Sequence, residues 1–138
     1  MAGYSGTPLT TKLGIKPAHV VGVVNAPDSF VPLLDPLPDS VTIVTGVRAR
    51  RDVVVAFFVQ RAEFERKLAA MKKAIFPAGS LWIAWPKKAS KVPTDITEDV
   101  VRAVALPTGL VDIKVCAIDD VWSGLRLVVR KERRGASA

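Results

Sequence analysis

The sequence predicts a three-layer α/β fold in which a mostly parallel sheet of about six strands ends in a C-terminal antiparallel hairpin. Three observations carry this expectation. Near-continuous apolar runs at 19–24, 52–58 and 80–85 have the pattern of strands covered on both faces. One well-formed amphipathic helix, Arg61 to Ile75, separates the second run from the third, as a parallel crossover requires. The last two strand patterns, Leu110 to Ile118 and Trp122 to Arg130, are joined through Asp119-Asp120, which leaves room only for a hairpin.

At 138 residues the chain has length for one domain with a real core. We expect that domain to span 1–130, with 1–6 an extended N-terminal arm and 131–138 a disordered basic tail. The longest apolar run, Val53 to Val59, is too short to cross a bilayer, and no export signal opens the chain, so the expected setting is the cytoplasm without membrane contact. A single cysteine, Cys116, rules out an internal disulfide framework and reads as a small core residue; no metal-ligand cluster is visible. The net charge of +7 points toward anionic partners. Much of it is local, however: Arg130, Lys131, Arg133 and Arg134 crowd the tail, and Arg48, Arg50 and Arg51 lie in a connection. Without a recognition helix, zinc finger or aromatic RNA-binding pattern, nucleic acid is expected only as a non-specific partner.

Taken in order, Pro8 to Leu13 reads as a short helix with Thr7 as cap and Gly14 as stop. His19 to Val24 is the first strand. Asn25-Ala-Pro-Asp28 follows, a strand-to-helix turn in which Asp28 or Ser29 caps a short helix, Phe30 to Leu34. Val41 to Thr45 is a second strand and Asp52 to Phe58 a third. The link between them holds no helix pattern, so the chain either crosses extended, the preferred reading, or makes a hairpin. In the helix from Arg61, Phe64, Leu68, Met71 and Ile75 form the apolar stripe, and Glu63 can pair with Lys67 one turn on. Pro77-Ala-Gly79 then turns into the strand Ser80 to Trp85, whose parity sets Trp82 and Trp85 on opposite faces. Asp95 and Glu98 have capping-box spacing, and Ile96, Val100 and Val104 step along the next helix, which stops before Pro107.

These elements resemble, from His19 to Arg130, the Rossmann-like fold of class I S-adenosylmethionine-dependent methyltransferases, shortened in its first half. The segment Phe64 to Trp85 looks like that family's fourth helix and fifth strand. The family's glycine-rich loop is replaced here by Asn25-Ala-Pro-Asp28, and its acidic residue at the end of the second strand has no counterpart around Thr45. The resemblance implies S-adenosylmethionine as the cofactor to consider. A more specific similarity is to a small bacterial domain family that carries no assigned activity. It rests on Gly3-Tyr-Ser-Gly-Thr-Pro-Leu9, Lys12-Leu-Gly-Ile15, Asn25-Ala-Pro27, Trp85-Pro-Lys-Lys-Ala-Ser90, Val92-Pro-Thr-Asp95, Val111-Asp112, Lys114-Val-Cys116 and Trp122-Ser-Gly-Leu125.

In a wound sheet, ligands lie outside the carboxyl ends of the parallel strands. The loops expected there supply Asn25, Gln60, Trp85, Lys87, Lys88, Ser90, Asp119, Trp122 and Ser123 as candidate ligand-binding residues. Lysines, an amide, hydroxyls and an indole suit an anionic small molecule with a planar ring. The plain counterpart is that the lysines are a solvated loop, Trp82 is core and Trp122 is buried under loops. The first functional expectation is a non-enzymatic module, binding or regulatory, for an anionic metabolite on a degenerate methyltransferase-like scaffold. The alternatives are a transferase, S-adenosylmethionine-dependent or other, and a homodimeric interaction protein pairing through Trp122 and the edge hairpin. No catalytic residue is identifiable.

Overall fold

The strands β1 (Val20–Val24), β2 (Thr42–Thr45), β3 (Val53–Phe57), β4 (Ser80–Pro86), β5 (Leu110–Ala117) and β6 (Trp122–Val129) form one six-stranded sheet in the order β2-β1-β3-β4-β6-β5. This is a computed structural model, and it describes residues 7–135. The expected arm at 1–6 and the last three residues of the tail, 136–138, lie outside the described residues. Of the remaining tail, Lys131–Arg133 forms a 3-10 turn, and Arg134 Nε donates to the Val129 carbonyl.

β1 to β4 are mutually parallel, while β6 runs antiparallel to both β4 and β5. β1 lies between β2 and β3 and is parallel to both, so the link 46–52 crosses over β1 without a helix and the hairpin alternative is excluded. Gly22 is what lets it pass. A Cβ on Gly22 would stand 2.8 Å from the Gly46 carbonyl oxygen and 3.1 Å from the Arg51 side chain. The crossing is then tied down by Asp52, whose Oδ2 accepts from the Val20 N–H at 2.7 Å.

Two apolar layers flank the sheet. α2 (Arg61–Ile75) and α3 (Glu98–Ala105) cover one face, packing Leu68, Met71, Ile75, Val101 and Ala105 over Leu81, Ile83, Trp85, Leu125 and Leu127. The other face is covered by the five-residue α1 (Leu9–Leu13) and a 3-10 turn at Val31–Leu34, with Leu13, Phe30 and Leu34 over Val21, Val23, Val55, Phe57 and Trp82. Trp82 and Trp85 do lie in opposite layers. The buried Trp82 indole donates from Nε1 to the Leu13 carbonyl at 2.9 Å, which pins α1 to the sheet.

Local details differ from the sequence expectation where a cap had to choose among neighbours. Pro8, not Thr7, is the N-cap residue of α1, and Gly14 ends that helix at φ 77° as expected. Neither Asp28 nor Ser29 caps the next element: Phe30 is at its N-cap with no side-chain bond, and the element is a single 3-10 turn that carries Pro32 in its first turn and stops at Asp35, before Pro36. α3 starts at Glu98 because the Thr97 hydroxyl accepts from the Val100 N–H, and its buried stripe is Val101 and Ala105, with Val100 and Val104 partly covered. Cys116 is half-buried on edge strand β5 instead of lying in the core. Among the described residues no helix is long and apolar enough to cross a membrane.

Arg102 joins α3 to β5 by donating to Glu98 and, at 2.8 Å, to Asp112. The hydrogen bond from Arg102 holds the Asp112 carboxyl below its ordinary value. A carboxylate lowered in the folded state contributes stability above its unfolded pKa and loses it as pH falls through the folded one. Asp112→Asn should therefore flatten the fall in stability on the acid side of pH 4. Urea unfolding of both proteins from neutral to acid pH measures this, and parallel profiles would show that the pair is energetically silent. A second expectation concerns Gly79, where an added Cβ would stand 2.8 Å from the Arg51 and Asp52 carbonyl oxygens and 2.9 Å from that of Ile75. Gly79→Ala should cost about 1–3 kcal/mol through overpacking against unyielding backbone. The change in urea midpoint measures it.

Candidate functional site

The carboxyl ends of β1 to β4 open on one edge of the sheet, and the turn from β5 into β6 lies at the same edge, because Pro86 pairs with Trp122 and the Lys87 N–H donates to the Val121 carbonyl at 2.7 Å. That register brings the lysine loop and the late indole together. Trp122 is half-buried and stands edge-on to Phe57, with ring centroids 5.1 Å apart at 89°. Phe30 packs against the far side of the same cluster, 4.9 Å from Phe57. Asp119 shapes the β5–β6 turn, its Oδ1 accepting from the N–H groups of Val121 and Trp122 at 2.8 Å each. Ser123 pairs with Trp85 in the ladder and is half-buried.

Asn25, at φ 56°, closes the mouth between β1 and β3. Its amide donates to the Phe57 carbonyl at 3.1 Å and to Glu63 Oε1 at 3.3 Å. Gln60 is exposed at the start of α2 and makes no capping bond, so its amide is available at the lip. Lys87 is half-buried and Lys88 exposed; among the described residues, neither they nor Lys91 makes a salt bridge. Ser90 is committed to its own loop, donating from Oγ to the Lys87 carbonyl at 2.6 Å and accepting from the Val92 N–H. Its hydroxyl meets the backbone of Lys87 and not the ammonium, so no lysine-activated serine is formed. Trp85 is only 6% exposed, within the layer under α2 and α3, and serves packing.

Asp95 caps a different helix from the one its spacing suggests. Its Oδ1 accepts from the Arg61 N–H at 2.7 Å, while Thr94 Oγ1 donates to the Val59 carbonyl at 2.7 Å. Both bonds fold the loop after Lys91 back over the entrance to α2. Sequence reasoning had no means to find Thr94 or Phe57 as site-shaping residues, since each works through a partner more than twenty-five residues away. Glu63 carried a signal only as the partner of Lys67, a pair present at 3.3 Å.

No protein-family model and no curated protein sequence matches the chain. Solved structures do match it. A SAM-dependent methyltransferase from Aquifex aeolicus superposes with a TM-score of 0.67 at 14% identity, covering 88% of each chain. DhpI, in its complex with SAH, gives 0.59 at 12% identity over 90% of this chain and 83% of that one. Magnesium protoporphyrin IX methyltransferase (ChlM) from Synechocystis PCC 6803 with bound SAH gives 0.55 at 11% identity, covering 89% and 78%. Likeness at such identities is likeness of fold.

S-adenosylmethionine held in the manner that the fold implies does not fit the residues present. At the turn after β1, where a backbone cradle needs glycine, Ala26 carries a Cβ, Pro27 lacks an N–H, and the Asn25 amide is already spent across the mouth. The end of β2 offers exposed Thr45 and then Gly46, with no carboxylate for a ribose. Among the described residues no group of three or more His, Cys, Asp or Glu is placed to hold a metal. Asp95→Ala removes the bond to the first N–H of α2 and is expected to cost about 1 kcal/mol. Thermal or urea unfolding checks this, and a loss below about 0.3 kcal/mol would show that water replaces the carboxylate without penalty. The chain has the Rossmann-like α/β fold of S-adenosylmethionine-dependent methyltransferases.

Proposed function

We propose that the protein binds a small molecule at the carboxyl edge, between the Asn25–Asp28 turn, the Lys87–Lys91 loop and Trp122. The observation that carries the reading is the register Pro86 to Trp122, which sets the loop of Lys87 and Lys88, lysines without a salt bridge among the described residues, beside an indole at the edge where a wound sheet binds ligands. Of the two activities such a site could serve, the comparisons favour the transferase, because the similar folds include proteins solved with SAH. A non-enzymatic module for an anionic metabolite draws its support from Lys87 and Lys88 alone. Transfer is accordingly the activity to test first, with the ligand held by groups other than a glycine-rich turn.

The test is thermal unfolding and calorimetry of the full chain with S-adenosylmethionine, S-adenosylhomocysteine and a panel of phosphorylated and carboxylated metabolites, since a ligand preferring the folded state must stabilise it. Saturable binding of the adenosyl compounds, lost in Trp122→Ala, supports the transferase. Binding confined to an anionic metabolite, and lost in the Lys87→Ala, Lys88→Ala double variant, supports the module instead. Stabilisation by none of these compounds at millimolar concentration overturns ligand binding at this edge.

A further inference from the structure

The sheet face under α1 carries a second concentration of positive charge, away from the carboxyl edge. Arg126 lies four residues along β6 from Trp122, which at about 3.4 Å per residue places it about 14 Å down the strand. In the ladder it stands opposite Trp82 on one side and Lys114 on the other. Like charges directly across an antiparallel pair repel. Nothing in the described structure relieves this, because neither Arg126 nor Lys114 makes a salt bridge among the described residues. The contrast with Arg102, which meets two carboxylates, is direct.

Arg126 is also under-satisfied. Its Nε is buried with no hydrogen-bond partner among the described residues, and its guanidinium lies against the end of α1, where a Cβ on Gly14 would be 3.1 Å from Nη2. Burying a donor of a charged group without an acceptor is costly, so the guanidinium charge is poorly offset by its surroundings, and an oxyanion at its other N–H groups offsets it. Cys116 is half-buried two residues from Lys114 on the same strand. Burial pushes its thiol up, while the charges of Lys114 and Lys12 pull it down, so both ammonium groups reach this patch.

We infer that Arg126 and Lys114 form a binding site for a phosphate-type oxyanion on the sheet face beside α1, separate from the carboxyl edge. A tetrahedral oxyanion between the two side chains accepts from the guanidinium fork and from the ammonium, and it turns a repulsive cross-strand pair into two attractive contacts. The probe is inorganic phosphate, titrated into the full chain at constant ionic strength and followed by amide NMR and thermal unfolding. Saturable shifts at Gly14, Lys114, Cys116 and Arg126 are expected, with a rise in Tm. Lys114→Ala should weaken binding about ten-fold, the worth of one charge-assisted hydrogen bond, and Arg126→Gln should abolish it. Arg66→Gln, which removes one exposed charge from α2, should leave it unchanged. Lys114 is exposed, so its variant keeps the test open if Arg126→Gln fails to fold. Non-saturable shifts, shifts confined to the Lys87–Lys91 loop, or an equal loss in Arg66→Gln would each overturn the assignment.

Discussion

β3 and β4 lie side by side in the middle of the sheet with every residue buried, and this double-sided burial sets conditions for the rest of the chain. A parallel pair cannot be closed by a tight turn, so a crossover must follow β3, and α2 is that crossover. Its stripe of Phe64, Leu68, Met71 and Ile75 meets one face of the pair. The opposite face must be covered as well, and there the chain uses α1 and a single 3-10 turn. Five helical residues bury little area. Trp82 makes up for this by filling much of the layer itself and donating to α1 at Leu13. The cover ends short of β5, which leaves Lys114 and part of Cys116 in reach of solvent.

Both cationic sites arise from this arrangement by different routes. At the carboxyl edge, loops must leave the sheet wherever parallel strands stop, and the polar groups of those loops collect there by topology. On the open face, charge is set into the ladder itself, so the positions of Arg126 and Lys114 are fixed by strand register and not by loop conformation. The same register bears on association through the hairpin. Trp122 is engaged with Phe57, whereas the exposed apolar groups of β5 are Ile113 and Val115, at 51% and 42% exposure. A bulge between Asp112 and Lys114 twists that edge, a device that discourages strand-to-strand pairing.

The strands were legible because burial on both faces writes itself into consecutive residues: Val53 to Phe57 and Leu81 to Trp85 contain nothing polar. α2 was legible from its stripe, and the hairpin from the shortness of Asp119-Asp120. Whatever depended on a choice between equivalent partners was not. Asp95 precedes α3 in the chain, yet it caps α2, because the fold brings the Arg61 N–H to 2.7 Å from its carboxylate while the Thr97 hydroxyl caps α3. Parity told that Trp82 and Trp85 face opposite ways and the apolar run told of cover on both faces, but not that the cover reaches the strand's last residues, so Trp85 looked available when it is enclosed. Nothing in the strand pattern distinguishes Arg126, since its orphaned Nε is a property of α1 lying over it.

The turn after β1 is where scaffold and chemistry part. A fold of this kind leaves a crevice between β1 and β3 because neighbouring crossovers diverge from it. Here the crevice is bridged from within: Asn25 reaches the last carbonyl of β3 and the first turn of α2, and the Phe30, Phe57 and Trp122 rings fill the space below. Glycine at position 25 would supply backbone freedom but no amide to bridge the strands; asparagine supplies both the left-handed turn and the bond. A residue that closes the mouth cannot also be a cradle for a ligand's anionic end. On the proposed reading, contacts to a ligand at this edge would fall to groups farther out, on Gln60, Lys87 and Lys88, whose side chains carry, among the described residues, none of the bonds that hold the edge together.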